Sequence, residues 1–159
     1  MIVQDIRALQ KFLEGEGILT ELQKDTNQLY LNFKSGEIEF PAFLRLYDGK
    51  DLLQLLVFIP VSYKQGSAPD VARLLHLINK ELDCPGFGLD EESSLIFYRQ
   101  MVILDKGINQ TIVLKGIKSL EAVAIGFASV INAVASGAAS FRDVLEKTAA
   151  VKAAATSKE

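Results

Sequence analysis

Glu37-Ile38-Glu39-Phe40-Pro41-Ala42-Phe43-Leu44-Arg45-Leu46-Tyr47-Asp48-Gly49-Lys50-Asp51-Leu52-Leu53-Gln54-Leu55-Leu56-Val57-Phe58-Ile59 reads as two strands around a turn. Phe40, Ala42, Leu44 and Leu46 alternate onto one side of the first strand. Asp48-Gly49 supplies the positive φ values of a tight hairpin. Pro41 has no N–H for a ladder bond, so its position is expected at an edge or a bulge. Leu52 to Ile59 is apolar on both faces apart from Gln54. Such a strand is expected between two covering layers or under a partner.

The neighbouring segments extend this pattern. Leu29, Leu31 and Phe33 alternate with Tyr30 and Asn32, giving a half-buried strand. Ile18–Gln23 is a weaker strand before it, across the turn residues Lys24 to Asn27. Ile2, Ile6, Leu9 and Leu13 are spaced as one face of a leading helix that Gly15 and Gly17 stop. Downstream, Ser67-Ala68-Pro69-Asp70 offers a capping hydroxyl, an early proline and an acid for a helix start. Val71, Leu74, Leu75, Ile78 and Leu82 form its apolar stripe, and Pro85-Gly86 ends it. Phe87–Leu89 and Leu95–Leu104 read as a second hairpin around Asp90 to Ser94.

Composition changes near residue 119. Twelve of the sixteen alanines lie in 119–159, and eleven of the thirteen aromatics precede residue 99. Leu120, Val123, Phe127, Val130, Val134, Gly137, Phe141, Val144, Thr148 and Val151 follow alternating spacings of three and four. That is a heptad-like seam on one long helical region. Ala122 to Phe141 carries no charge over 20 residues, the length of a membrane span. Asn132 at its middle, the many small residues and the one-sided seam favour packing against the sheet or another helix instead.

The whole chain has 159 residues, a net charge of −3 and a mean hydropathy of +0.21. This is enough apolar material for one core. The 17 basic residues are dispersed, which argues against a nucleic-acid partner. The N-terminus has Asp5, Arg7 and Lys11 within its amphipathic pattern rather than an unbroken apolar region, so a cytoplasmic protein is expected.

Catalytic chemistry is poorly provided for. His76 and Cys84 are the single histidine and the single cysteine, too few for a four-ligand zinc site or an internal disulfide. They stand eight residues apart on one expected helix, roughly 12 Å and beyond the reach of a nucleophile–base pair. Asp90-Glu91-Glu92 lacks the alternation and the glycine of a calcium loop. Gly86-Phe87-Gly88-Leu89-Asp90 lacks the third glycine of a dinucleotide fingerprint, and Gly49-Lys50 has no upstream Walker glycine. Glu37 with Glu39, and Asp48 with Asp51, read as exposed strand ends and turns. No catalytic residue, cofactor or metal ligand is expected.

Three stretches carry a resemblance: Leu52–Pro60, a strand ending in proline; the Leu-Leu-x-x-Ile-Asn run at 74–79; and Gly86–Asp90 before Leu95–Arg99. Together with the element order they resemble the type III secretion chaperone-like fold, closest to the YbjN-like group, over roughly residues 2–118. The resemblance implies a small acidic cytoplasmic homodimer that needs no catalytic residue. Secretion chaperones of this kind hold effector segments unfolded by β-augmentation and in apolar grooves.

The expected architecture is therefore α+β, a two-layer α/β arrangement. Its antiparallel sheet comes in the order α-β-β-β-β-α-β-β-α, with a long Ala-rich C-terminal helix. An α/β domain spans 1–118, and a helical extension with a frayed tail spans 119–159. The expected function is protein binding by a chaperone-like or regulatory homodimer. Its self- or partner interface is expected at Phe127, Val130, Val134 and Phe141, or at Leu53, Leu55 and Val57. An edge strand carrying Phe40, Pro41 and Phe43 is where a client segment would add. A second reading has the C-terminal helix docking on a partner or a membrane surface.

Overall fold

The computed structural model describes residues 1–49 and 51–157. Lys50, and with it the Gly49-Lys50 pair, and the last two residues of the expected tail lie outside the described residues.

Helix α1 (Ile6–Gly15) begins one residue after Asp5, whose carboxylate accepts the N–H groups of Arg7 and Ala8. Ile6, Leu9 and Leu13 are buried as the spacing predicts. Ile2 falls before the cap and bridges to Ile108 instead of joining the helix face. The first strand is shorter than expected: β1 is Glu21–Gln23, followed by a single 3₁₀ turn at Lys24–Thr26. Then come β2 (Gln28–Ser35), β3 (Ile38–Tyr47) and β4 (Leu52–Phe58). The β3–β4 turn is longer than a two-residue hairpin and closes Tyr47 on Leu52, with Gly49 at φ 63°.

Helix α2 (Ala68–Glu81) has proline in its first turn, as read from the sequence. Ser67 does not cap it through its side chain. The hydroxyl hydrogen is instead shared between the carbonyls of Lys64 and Ala135, at 2.7 and 2.9 Å. Strands β5 (Phe87–Asp90) and β6 (Leu95–Ile103) form the second hairpin. Its acidic turn is closed by the Asp90 carboxylate, which accepts the N–H groups of Glu92 and Ser93. Hydrogen bonds from Ser93 hold that carboxyl below its ordinary value.

The expected long C-terminal helix is two helices. α3 (Gln110–Ala135) starts well before residue 119, and α4 is Phe141–Thr156. Gly137 at φ 78° breaks the line between them. The composition shift at 119 thus lies inside α3. Residues on both sides of it, among them Val113, Ile117, Leu120 and Ile131, belong to the same core. Because of the break, no single helix runs from Ala122 to Phe141. Helix α3 is long and apolar enough by length and composition to cross a membrane, and part of it is buried in the core. Asn132 serves that packing, its side-chain oxygen accepting the Ser62 N–H at 2.9 Å.

All sheet pairs are antiparallel, in the order β1-β2-β3-β4-β6-β5. Leu29, Leu44, Leu53, Leu55, Val57, Ile96 and Tyr98 point to one face and are essentially inaccessible. α1, α2 and α3 contribute to the core on that face. α3 lies so close to β4 that a Cβ at Gly116 would stand 3.0 Å from Leu55 Cδ2. This identifies the cover over Leu55 as the chain's own helix α3, and Leu53 and Val57 are buried within the same chain.

Leu55→Ala is expected to cost about 2–5 kcal/mol in urea unfolding, because the sheet and α3 cannot close on the void. A second expectation concerns α4, whose Asp143 and Ser140 form a capping box. Ser140 hydrogen bonds hold the Asp143 carboxyl below its ordinary value. A lowered folded pKa means the cap contributes fully above the ordinary aspartate value of about 3.9 and is lost as pH falls through the lowered one. An acid titration followed by circular dichroism should therefore show a helicity loss in that range, which Ser140→Ala makes smaller.

Candidate protein-binding face

The second face of the sheet is uncovered. Alternation places Tyr30 on β2, Phe43 and Tyr47 on β3, and Leu52, Leu56 and Phe58 on β4 toward it. From β6 it receives Leu95, Phe97, Arg99, Met101 and Ile103. None of these is buried, and Ile103 is 82% exposed against 0% for Leu53 and Leu55 on the covered side.

Register gathers these side chains into rows. Tyr30 is level with Phe43, Phe43 with Leu56, and Leu56 with Arg99. Phe58 is level with Phe97, and Leu52 stands between Tyr47 and Ile103. The rings of Tyr30 and Phe43 lie 5.5 Å apart, and Phe43 meets Phe58 edge-on at 5.9 Å. Two arginines sit over aromatic rings on this surface: Arg45 Cζ is 4.7 Å from the centre of the Tyr47 ring and Arg99 Cζ 5.5 Å from that of Phe97. Gln54 at the centre accepts the Tyr47 hydroxyl at 3.2 Å. A shallow hollow of about 310 Å³ lies among Gln54, Leu56, Phe58, Phe97 and the two arginines.

The edge of this face depends on two devices from the 74–90 region. Asn79 clamps the start of β5: its side-chain oxygen accepts the N–H groups of Gly86 and Phe87, and its amide donates to the Phe87 carbonyl. Gly88 lies beneath the Phe97 ring, where a Cβ would strike the ring. Below the sheet, Tyr98 donates to the Cys84 carbonyl at 2.8 Å, and burial pushes its phenol pKa up.

The interface residues expected from sequence fall elsewhere. Leu53, Leu55 and Val57 have no exposed surface, so as far as this chain goes they are core and not a free sheet face. Val134 and Phe141 are also buried. Phe141 is held at α2, where its N–H donates to Asp70 and the Arg73 guanidinium lies 4.4 Å over its ring. Phe127 is half-buried and meets Phe87 edge-on at 5.8 Å. Val130 is half-buried beside α4.

β3 is an interior strand over Ala42–Tyr47, paired with both β2 and β4. Phe40 points into the core, while Pro41 and Phe43 are half-buried on the uncovered side. The β4 ladder begins at Ala42, so Pro41 stands just where β3 loses that neighbour. The edge expected there is therefore local, and the sheet's outer strands are β1 and β5. His76 and Cys84 are both exposed. Among the described residues no three His, Cys, Asp or Glu side chains gather as metal ligands would.

With this geometry in view, the model of the YbjN family, described as "Putative bacterial sensory transduction regulator", matches residues 5–113. The chain belongs to the YbjN family. Its fold is also similar to solved structures, all at low identity. YbjN from E. coli is 14% identical with a TM-score of 0.57, over 87% of this chain and 94% of that one. A chain of the HopA1–SchA chaperone–effector complex is 19% identical with a TM-score of 0.53, over 76% and 90%. A chain of the ExsC–ExsE complex is 17% identical with a TM-score of 0.58, over 80% and 92%. No curated protein matches. These likenesses are of fold, and they agree with the type III secretion chaperone-like resemblance read from residues 52–99.

Asn79→Ala leaves the Gly86 and Phe87 amides without their acceptor. It is expected to cost about 1–3 kcal/mol in denaturant unfolding.

Proposed function

We propose that this chain is a non-enzymatic, cytoplasmic, chaperone-like protein-binding homodimer that holds an apolar segment of another protein on the uncovered sheet face. One observation carries the reading: a six-stranded sheet is covered on one side only, and its other side is a continuous aromatic and aliphatic surface. Contiguous exposed apolar surface of this kind marks interaction sites on soluble proteins. Tyr, Phe, Met and Arg are the residue types that concentrate binding energy at such sites. Membership of the YbjN family supports a regulatory use of that binding. The shared fold with chains of two complexes, one of them a chaperone with its effector, supports the client-holding chemistry.

A segment held on this face gains apolar contact with Phe43, Phe58 and Phe97, while Arg45 and Arg99 can accept an acidic side chain at the rim. No bond is made or broken, so the face needs rigidity and exposed area rather than a catalytic group. The sheet supplies rigidity because four of its six strands are paired on both sides.

The test is a double substitution at two exposed positions, Met101→Asp with Ile103→Asp. The variant should keep its unfolding midpoint. It should bind a permanently unfolded probe, reduced and carboxymethylated lactalbumin, about tenfold or more weakly by fluorescence anisotropy. Undiminished binding by a folded variant would remove the sheet face as the client surface.

A further inference from the structure

The charged side chains of the open sheet face are unevenly arranged. Its free acids stand on the outer strands, Glu21 on β1 and Asp90 at the end of β5. The Asp90 carboxylate is also taken up by the turn N–H groups of Glu92 and Ser93. On the inner strands β3, β4 and β6, alternation turns Glu39, Arg45 and Arg99 toward this face. Glu39 is paired with Lys34 at 3.4 Å. Arg45 and Arg99 are exposed, and among the described residues neither forms an ion pair or donates a side-chain hydrogen bond. The middle of the face therefore carries unpaired positive charge alone.

The rings beneath the two arginines do not use up their donors. A ring face attracts the charge but leaves guanidinium N–H groups for an oxygen acceptor. Between the arginines, Gln54 gives its side-chain oxygen to the Tyr47 hydroxyl, and among the described residues its amide nitrogen has no acceptor. The polar groups offered here are donors, so an acceptor-rich partner complements them.

Register sets the spacing. Arg45 is level with Gln54 and Met101, whereas Arg99 is level with Leu56, one row along. Arg45 reaches toward Tyr47 and Arg99 toward Phe97, in opposite directions along the sheet. Strand spacing and rise put the two guanidinium groups roughly 15–20 Å apart. One carboxylate cannot meet both. An extended segment crossing β4 obliquely meets both with acids about six residues apart, an even spacing that turns both toward the sheet. Apolar side chains between those acids then rest on Leu56 and Phe58.

We infer that the segment held on this face is acidic as well as apolar: an extended stretch with one carboxylate for Arg45, one for Arg99 and apolar side chains between. This rests on the client-binding reading above and adds the charge and spacing of the client. Single-stranded nucleic acid is also anionic and stacks on aromatic sheet faces, but it asks for a positive groove along successive phosphates. Two unpaired cations among the described residues, set amid Leu52, Leu56, Met101 and Ile103, suit a protein segment better.

The test uses the full chain and two fluorescein-labelled peptides of alternating leucine and serine. One has glutamate in place of two leucines six positions apart, and its twin has glutamine there. By anisotropy at low salt the glutamate peptide should bind about tenfold more tightly, and added salt should shrink the preference. Arg45→Gln and Arg99→Gln, both at exposed positions, should each keep the melting temperature and each remove about threefold of it. Arg45→Glu with Arg99→Glu should turn the preference toward a lysine twin.

Equal binding of the glutamate and glutamine peptides by the wild-type chain would overturn the acidic client and leave the apolar one standing. Failure of both peptides and of the carboxymethylated lactalbumin would overturn the client-binding reading with it. A glutamate preference that survives the double charge reversal also overturns the assignment to these arginines. Tighter binding of oligouridine than of the glutamate peptide would give the face to RNA instead. A wild-type dimer that the double reversal disperses would give it to a second copy.

Discussion

The structure depends on the packing of α3 against the inner face of β4. Leu55 meets α3 there, where Gly116 lets the helix backbone come close, and Leu55 and its neighbours Leu53 and Val57 lose all contact with water. Burying a leucine of this kind is worth about 1.5–3 kcal/mol relative to exposure. The three together rival the whole net stability of a small domain. Every other helix on that side is placed around this contact. α2 covers the β5 end, and the 62–67 segment is tied to the last turn of α3 through Asn132 and Ala135. Among the described residues one helical layer covers the sheet, and the opposite face stays open.

Much of this architecture is legible in the sequence. The alternation in 29–33 and 40–46, the proline-initiated helix at 68 and the hairpin around Asp90 each depend on neighbouring residues, and the structure has all of them. The misreadings have a common physical origin. Ile2 fits the helical spacing, but the Asp5 cap starts the helix later. The three-and-four spacing runs on through Gly137 as though one helix continued, because spacing carries no information about a left-handed residue inside it. Ser67 looks like a cap, yet the C-terminus of α3, far away in sequence, offers its hydroxyl better acceptors.

The open sheet face is only half legible for a related reason. β4 is apolar on both sides, which called for a second covering layer or a partner. Which side the chain's own helices take is decided by long-range packing, not by the strand itself. Local reading placed Leu53, Leu55 and Val57 at the interface, and they are the buried set. The alternation Phe97, Arg99, Met101, Ile103 on β6 was the available signal. It gains meaning only once β6 is known to lie beside β4.

The two ends of the sheet bear on how such a face survives in a crowded solution. Its outer strands, β1 and β5, are three and four residues long. Where β3 outruns β4, Glu39 and Pro41 occupy the unpaired stretch, and both discourage further strand addition. These short strands shield only part of their neighbours: among the described residues, Leu31–Ser35 of β2 and Gln100–Ile103 of β6 have no strand on their outer side. Free strand edge beside an open apolar face is a template for self-association. The open face therefore carries a cost in solution that falls when a partner covers it.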